Sequence, residues 1–79
     1  MRSYYFNLKG NGEDRRSDTP VQFASLAVAK EDVLQGIRDM IAAAPGEWQF
    51  GTLGLYFEIC DESGVVLDIV PFRDALVLH

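Results

Sequence analysis

One stretch constrains what this 79-residue chain can fold into. From Ser25 to Ala44 it is the single long periodic segment, with Leu26, Ala29, Val33, Ile37, Met40, Ile41 and Ala44 at i, i+3, i+4, i+7 spacing. That places them on one stripe of a 3.6-residue period, with Glu31, Asp32, Gln35, Arg38 and Asp39 opposite. Ser25 is the candidate N-cap, since its hydroxyl can accept a free first-turn N–H; Val28 stands where a Glu would complete a capping box. Ala44-Pro45-Gly46 ends the helix, because a residue before proline is pushed out of helical geometry. Gly36 sits mid-helix at a cost of about 1 kcal/mol relative to Ala, which points to close approach of another backbone, favoured on the missing Cβ, or to a tolerated flaw.

Around this helix the chain reads as short strands. Ser3–Lys9 alternates, with Tyr4, Phe6 and Leu8 on one face and Tyr5, Asn7 and Lys9 on the other. Gly10-Asn11-Gly12 reverses the chain, because these residues tolerate positive φ. Glu13–Asp18 is wholly polar and reads either as an edge strand or as an ordered loop with Arg15 and Arg16 in water. Thr19-Pro20 closes it, and Phe23 leads into the helix. After the helix, Glu47–Gly51 is a connector anchored by Trp48 and Phe50. Thr52–Cys60 alternates again, with Leu53, Leu55, Phe57 and Ile59 on one face and Gly54, Tyr56, Glu58 and Cys60 on the other. Asp61–Gly64 is a turn, and Val65–Phe72 returns as a strand that is apolar on both faces apart from Asp68. Residues 73–79 form a tail too apolar to float freely. The expected architecture is α+β, β-β-α-β-β: one domain over residues 1–79, with one helix on one face of a three- or four-stranded, mainly antiparallel sheet.

At this length a single core supplies only about 3–5 kcal/mol of net stability, so small chains lean on disulfides, metals or partners. Cys60 is the one cysteine and His79 the one histidine, so an intrachain disulfide and a zinc site of four Cys/His ligands are both excluded, which leaves oligomerisation. The net charge of −5 repels phosphate backbones and anionic lipid and argues against a general nucleic-acid binder. The N-terminal apolar run is too short for a signal-peptide core, and no stretch approaches the ~18–20 apolar residues of a membrane span. With a lone thiol suited to a reducing compartment, the expected location is cytoplasmic.

Few residues point to chemistry. Cys60 would need a base to become a nucleophile, and the sole imidazole lies at the chain end; beside Asp61 it reads as a small buried hydrophobe. Asp61-Glu62-Ser63 lacks the ligand spacing and closing Glu of a calcium loop and reads as a turn whose Asp bonds its own backbone. Gly10-x-Gly12 opens no helix and precedes no Lys-Ser/Thr, so it is no phosphate loop. The sequence therefore points to no catalytic residue, cofactor or metal.

Several short motifs carry a resemblance across nearly the whole chain. Tyr4-Tyr5-Phe6-Asn7-Leu8 before a glycine turn, then Asp18, then Phe23-x-Ser25-Leu26-x-x-Ala29, and finally Asp61-Glu62-Ser63-Gly64 with Val70-Pro71-Phe72, resemble a family of very small bacterial proteins described as a domain of unknown function. Its members run Tyr-Phe-Phe near the start, with Asp-Glu-x-Gly and then Val-Pro-Phe near the end. The sequence departs at Val21, where the family has Gly shortly after the Asp. The resemblance implies a small stand-alone protein and assigns no functional residue.

The most informative remaining feature is surplus apolar surface. One helix covers one sheet face, yet Tyr5, Tyr56, Leu67, Ile69, Val70, Phe72 and Leu76 cannot all lie beneath it. Either the tail folds back, or a second copy packs sheet to sheet or strand to strand along Val65–Val70. These residues are the candidate interface of a non-enzymatic, self-associating module, with a homodimer or another protein as the expected partner. The alternative is a small-molecule binder or minor enzyme with a pocket between helix and sheet, lined by Trp48, Tyr56 and Arg38 or Arg73. A third reading, nucleic-acid binding through Arg2, Lys9, Arg15 and Arg16, needs a basic patch on an acidic whole.

Overall fold

The sheet is built on its first strand, β1 (Arg2–Gly10), because that nine-residue run is long enough to pair with three others. A computed structural model describes residues 1–43 and 54–75 of the chain. Along one side of β1, Tyr5–Lys9 pairs antiparallel with β4 (Tyr56–Cys60), which pairs in turn with β5 (Val66–Pro71). The other side is shared by two short strands. β2 (Glu13–Arg15) pairs with Leu8–Gly10, and β3 (Val21–Phe23) pairs with Arg2–Tyr4. The result is a five-stranded antiparallel sheet carrying one main helix, α1 (Leu26–Ala43).

The expected α+β architecture and helix-on-sheet layering hold, with one strand more than the pattern revealed. β3 is only three residues long, too short for alternation to show. The β1–β2 turn is a two-residue Asn11-Gly12 connection with φ of 51° and 81°, the doubly positive geometry whose twist matches a hairpin. The polar segment after it resolves into both earlier readings: Glu13–Arg15 is a strand, and from Arg16 the chain leaves the sheet.

Ser25 caps α1 as expected. Its Oγ accepts the Val28 N–H at 3.3 Å, and its carbonyl accepts the Ala29 N–H at 3.1 Å. The inward stripe buries Ala29, Val33 and Ile37 against Tyr4, Ile59, Val70 and Phe72 from the sheet side. Each fully buried large side chain there contributes on the order of 1.5–3 kcal/mol.

Gly36 departs from expectation. No heavy atom lies within 4 Å of where its Cβ would stand, so no neighbouring backbone needs the space. Gly36→Ala is therefore expected to stabilise the protein by about 1 kcal/mol, through helix propensity alone, in urea unfolding. A loss of stability would show that something fills that space.

β5 ends at Pro71, the residue expected to end its ladder because it has no N–H, and only Phe72 of the strand read from the sequence falls beyond it. From there residues Phe72–Ala75 wind into a short helix, α2. The Phe72 N–H still donates to the Leu55 carbonyl at 3.0 Å, and Arg38 Nε on α1 donates to the Ala75 carbonyl at 3.3 Å. This return of the chain onto α1 buries Phe72 and Ala75.

Candidate functional site

Strand alternation divides the side chains of β1 and β4 cleanly between the two faces of the sheet. Tyr4, Phe6, Leu8, Phe57 and Ile59 look toward α1, whereas the register pairs Tyr5 with Cys60, Asn7 with Glu58 and Lys9 with Tyr56 on the opposite face. On β5, Ile69 lies opposite Glu58 and joins this second face. Val66 joins it as well, because a register shift beside Ile59/Cys60 brings Val66 opposite Cys60. Among the described residues no helix covers this face.

It is not flat. After β2 the chain crosses to β3 against this face, where the Ser17 N–H donates to Asn7 Oδ1 at 3.1 Å. Ser17 Oγ holds the crossing in shape, bonding Thr19 through its carbonyl at 3.1 Å and its N–H at 3.3 Å. Between this crossing and the β4–β5 turn lies a groove of about 520 Å³, with Tyr5, Asn7, Cys60 and Val66 on its floor and Lys9, Arg16, Asp18, Glu58, Asp61 and Glu62 around it. A second groove, of about 350 Å³, lies between the N-terminal residues, the β4–β5 turn and Leu67. Sequence reasoning missed the crossing, since a short polar segment gives no signal of which surface it will lie on.

The charges around the groove are of both signs. Lys9 Nζ pairs with Asp14 Oδ1 at 2.6 Å, which raises the lysine pKa and lowers that of the aspartate; both are solvent-screened and add little to stability. Lys9 and Arg16 share the rim of the groove with Asp18, Glu58, Asp61 and Glu62. Asp61 behaves as the turn reading expects. Its Oδ1 accepts the Val65 N–H at 3.0 Å and the Ser63 N–H at 2.9 Å, and these backbone donors hold its carboxyl below the usual range. Gly64, at φ of 85°, closes the turn by donating to the Asp61 carbonyl at 3.0 Å.

Cys60 is buried, yet it stands outside the apolar cluster under the helix. Its Sγ accepts from Asn7 Nδ2 at 3.5 Å, and burial, then Glu58 and Asp61, push the thiol pKa up. A protonated thiol is a poor nucleophile. Native protein at pH 8 is expected to react with Ellman's reagent at least about tenfold more slowly than the same protein in guanidinium; equal rates would show an activated cysteine.

The residues expected at an interface divide between the two faces. Tyr5 and Tyr56 stand half-buried on the uncovered face, and Leu67 and Ile69 are exposed on β5. Val70 and Phe72 are corrected: at 0% and 1% exposure they belong to the core under α1 and are closed to any partner. Leu76 lies outside the described residues, as do Leu78, His79 and Trp48. The pocket expected between helix and sheet is not assembled by its other members. Tyr56 faces away from α1, Arg38 is engaged with α2, and Arg73 is exposed.

A helix laid on one face of an antiparallel sheet, with the other face bearing only a short crossing segment among the described residues, defines a small two-layer α+β protein. The chain belongs to the family described as Domain of unknown function (DUF6894), whose match covers residues 3–73 and so includes both β hairpins and α1. Neither the curated proteins nor the solved structures gave a match. Among the described residues no helix is long and apolar enough to cross a membrane.

Proposed function

We propose that this is a non-enzymatic, cytoplasmic interaction module that pairs with a second copy of itself through the uncovered face of its sheet. The observation that carries the reading is the composition of that face: Tyr5, Tyr56, Val66 and Ile69 present apolar and aromatic surface where a single helix leaves the sheet bare. A second copy is favoured as the occupant by the sign of the charges. Lys9 and Arg16 share the rim of the groove with Asp18, Glu58, Asp61 and Glu62, so the face carries both signs, as a self-complementary two-fold contact requires. The small core, which gains from a partner, adds to this. The raised thiol of Cys60 supports a non-catalytic role, and its lack of a second cysteine to pair with suits a reducing compartment.

Sedimentation velocity at micromolar concentration tests the reading. The expected result is a species of twice the chain mass, with Ile69→Lys weakening the pair by about tenfold or more while the circular dichroism spectrum of the folded chain is unchanged. A strictly monomeric mass overturns it. Saturable binding of a small molecule in the groove, lost on Arg16→Ala with the mass unaltered, would favour the ligand-binding alternative instead.

A further inference from the structure

A strand at the edge of a sheet carries a row of unused donors and acceptors, which makes it a template for another chain. β5 is such a strand, with β4 on one side and no strand on the other among the described residues. Its sequence makes the hazard acute. Val66, Leu67 and Ile69, with Val65 just before the strand, are 43%, 41%, 48% and 55% exposed, an apolar run of the kind that stacks edge to edge.

The backbone directions along β5 follow from three observations. Phe72 donates its N–H across to Leu55, so even-numbered positions at this end of the strand point toward β4. Pro71, one residue earlier, has no N–H and occupies a position that points away. Ile69 points away as well, and its N–H is already taken by the Asp68 carboxylate, Oδ1 accepting at 2.8 Å. Of the two outward positions in this half of the strand, one donor is spent and the other does not exist. The spent one is held in place from above: Asp68 lies opposite Ile59 on the helix side, and its Oδ2 is 3.6 Å from Lys30 Nζ on α1.

We propose that Asp68 closes the free edge of β5 to a second copy of this chain, so that self-association runs through the sheet face and stops there instead of extending the sheet. Two features act together. The carboxylate withdraws the donor an incoming strand needs, and in the antiparallel β5–β5 register centred on residue 68 it confronts its own symmetry mate, a like-charge contact at the seam. Lys30 is the positioning residue that keeps the carboxylate turned along the strand. The consequence for the assembled pair rests on the face-pairing reading above; the guarded edge itself does not, because a monomer has the same edge.

The test uses the full chain and its Asp68→Ala, Asp68→Asn and Lys30→Ala variants, with two readouts: amide hydrogen exchange at Ile69 and mass by sedimentation against concentration. Asp68→Ala is expected to speed exchange at Ile69 by about threefold or more relative to neighbouring amides and to produce species heavier than the unaltered protein as concentration rises. Asp68→Asn keeps an acceptor but loses the charge, so its exchange stays slow while its mass rises. Lys30→Ala is expected to fall between Asp68→Ala and the unaltered chain in exchange. Unchanged exchange in Asp68→Ala, or a mass that stays at the unaltered value up to the highest concentration, overturns the proposal. The two readings fail separately. A monomeric unaltered protein removes the face pairing, yet growth on Asp68→Ala would still establish the guard; a dimer indifferent to Asp68 does the reverse.

Discussion

Phe72→Ala is expected to cost about 3–5 kcal/mol of folding stability, the range for emptying a buried aromatic site. For a chain of this size the total is only on the order of 4–12 kcal/mol, so the variant should melt some tens of degrees lower or fail to fold at physiological temperature. The reason lies in how many elements meet at this ring. It is 1% exposed and stacks on Phe57 with centroids 5.5 Å apart, and it marks the point where β5 turns into α2. Ile69, three residues earlier and 48% exposed on the opposite face, is expected to tolerate alanine within about 0.5 kcal/mol. Thermal melting by circular dichroism compares the two directly. A melting temperature for Phe72→Ala within a few degrees of the unaltered protein would show that the ring is not core.

That comparison also marks where the sequence ceased to be informative. Ser3–Lys9 and Thr52–Cys60 alternate strictly, so their faces could be assigned from the pattern, and the structure buries Tyr4, Leu55 and Ile59 on the side so assigned. Val65–Phe72 has apolar residues at both parities, so alternation could not say which of Leu67, Ile69, Val70 and Phe72 face a partner and which face the helix. The register shift beside Ile59/Cys60 compounds this, since an extra residue moves Val66 to the face opposite the one simple counting gives. Asp68 was visible as the one charge in an apolar strand, but its meaning depends on Lys30, which reaches it only once α1 lies across the sheet. The crossing at Arg16–Asp18 was unreadable for a similar reason: the bond from Ser17 to Asn7 that anchors it is a contact between segments that carries no periodic signature.

Turns were legible because glycine's conformational freedom is local, yet their energetic weight was not, and Gly10 shows the difference. Gly10→Ala is expected to destabilise the protein by about 2–6 kcal/mol, combining backbone strain with overpacking. Its φ is 98°, a conformation L side chains rarely adopt, and an added Cβ would overlap the carbonyl oxygen of Gly54, which is backbone and cannot rotate aside. The contact is reciprocal, because a Cβ on Gly54 would meet the Asn11 side chain. Two glycines far apart in sequence thus let the β1–β2 turn press against the entry to β4, next to the Leu55 carbonyl that receives Phe72. Gly12 supplies the control. It too has positive φ, at 81°, but nothing lies within 4 Å of its missing Cβ, so Gly12→Ala should cost only the strain, on the order of 1–3 kcal/mol. Urea unfolding of both variants at equal m-value isolates the close approach as the difference between them. If Gly10→Ala proves no more damaging than Gly12→Ala, the turn and the entry to β4 are not in contact, and that end of β4 is positioned by its pairing with β1 and β5 and by the Phe72–Leu55 bond.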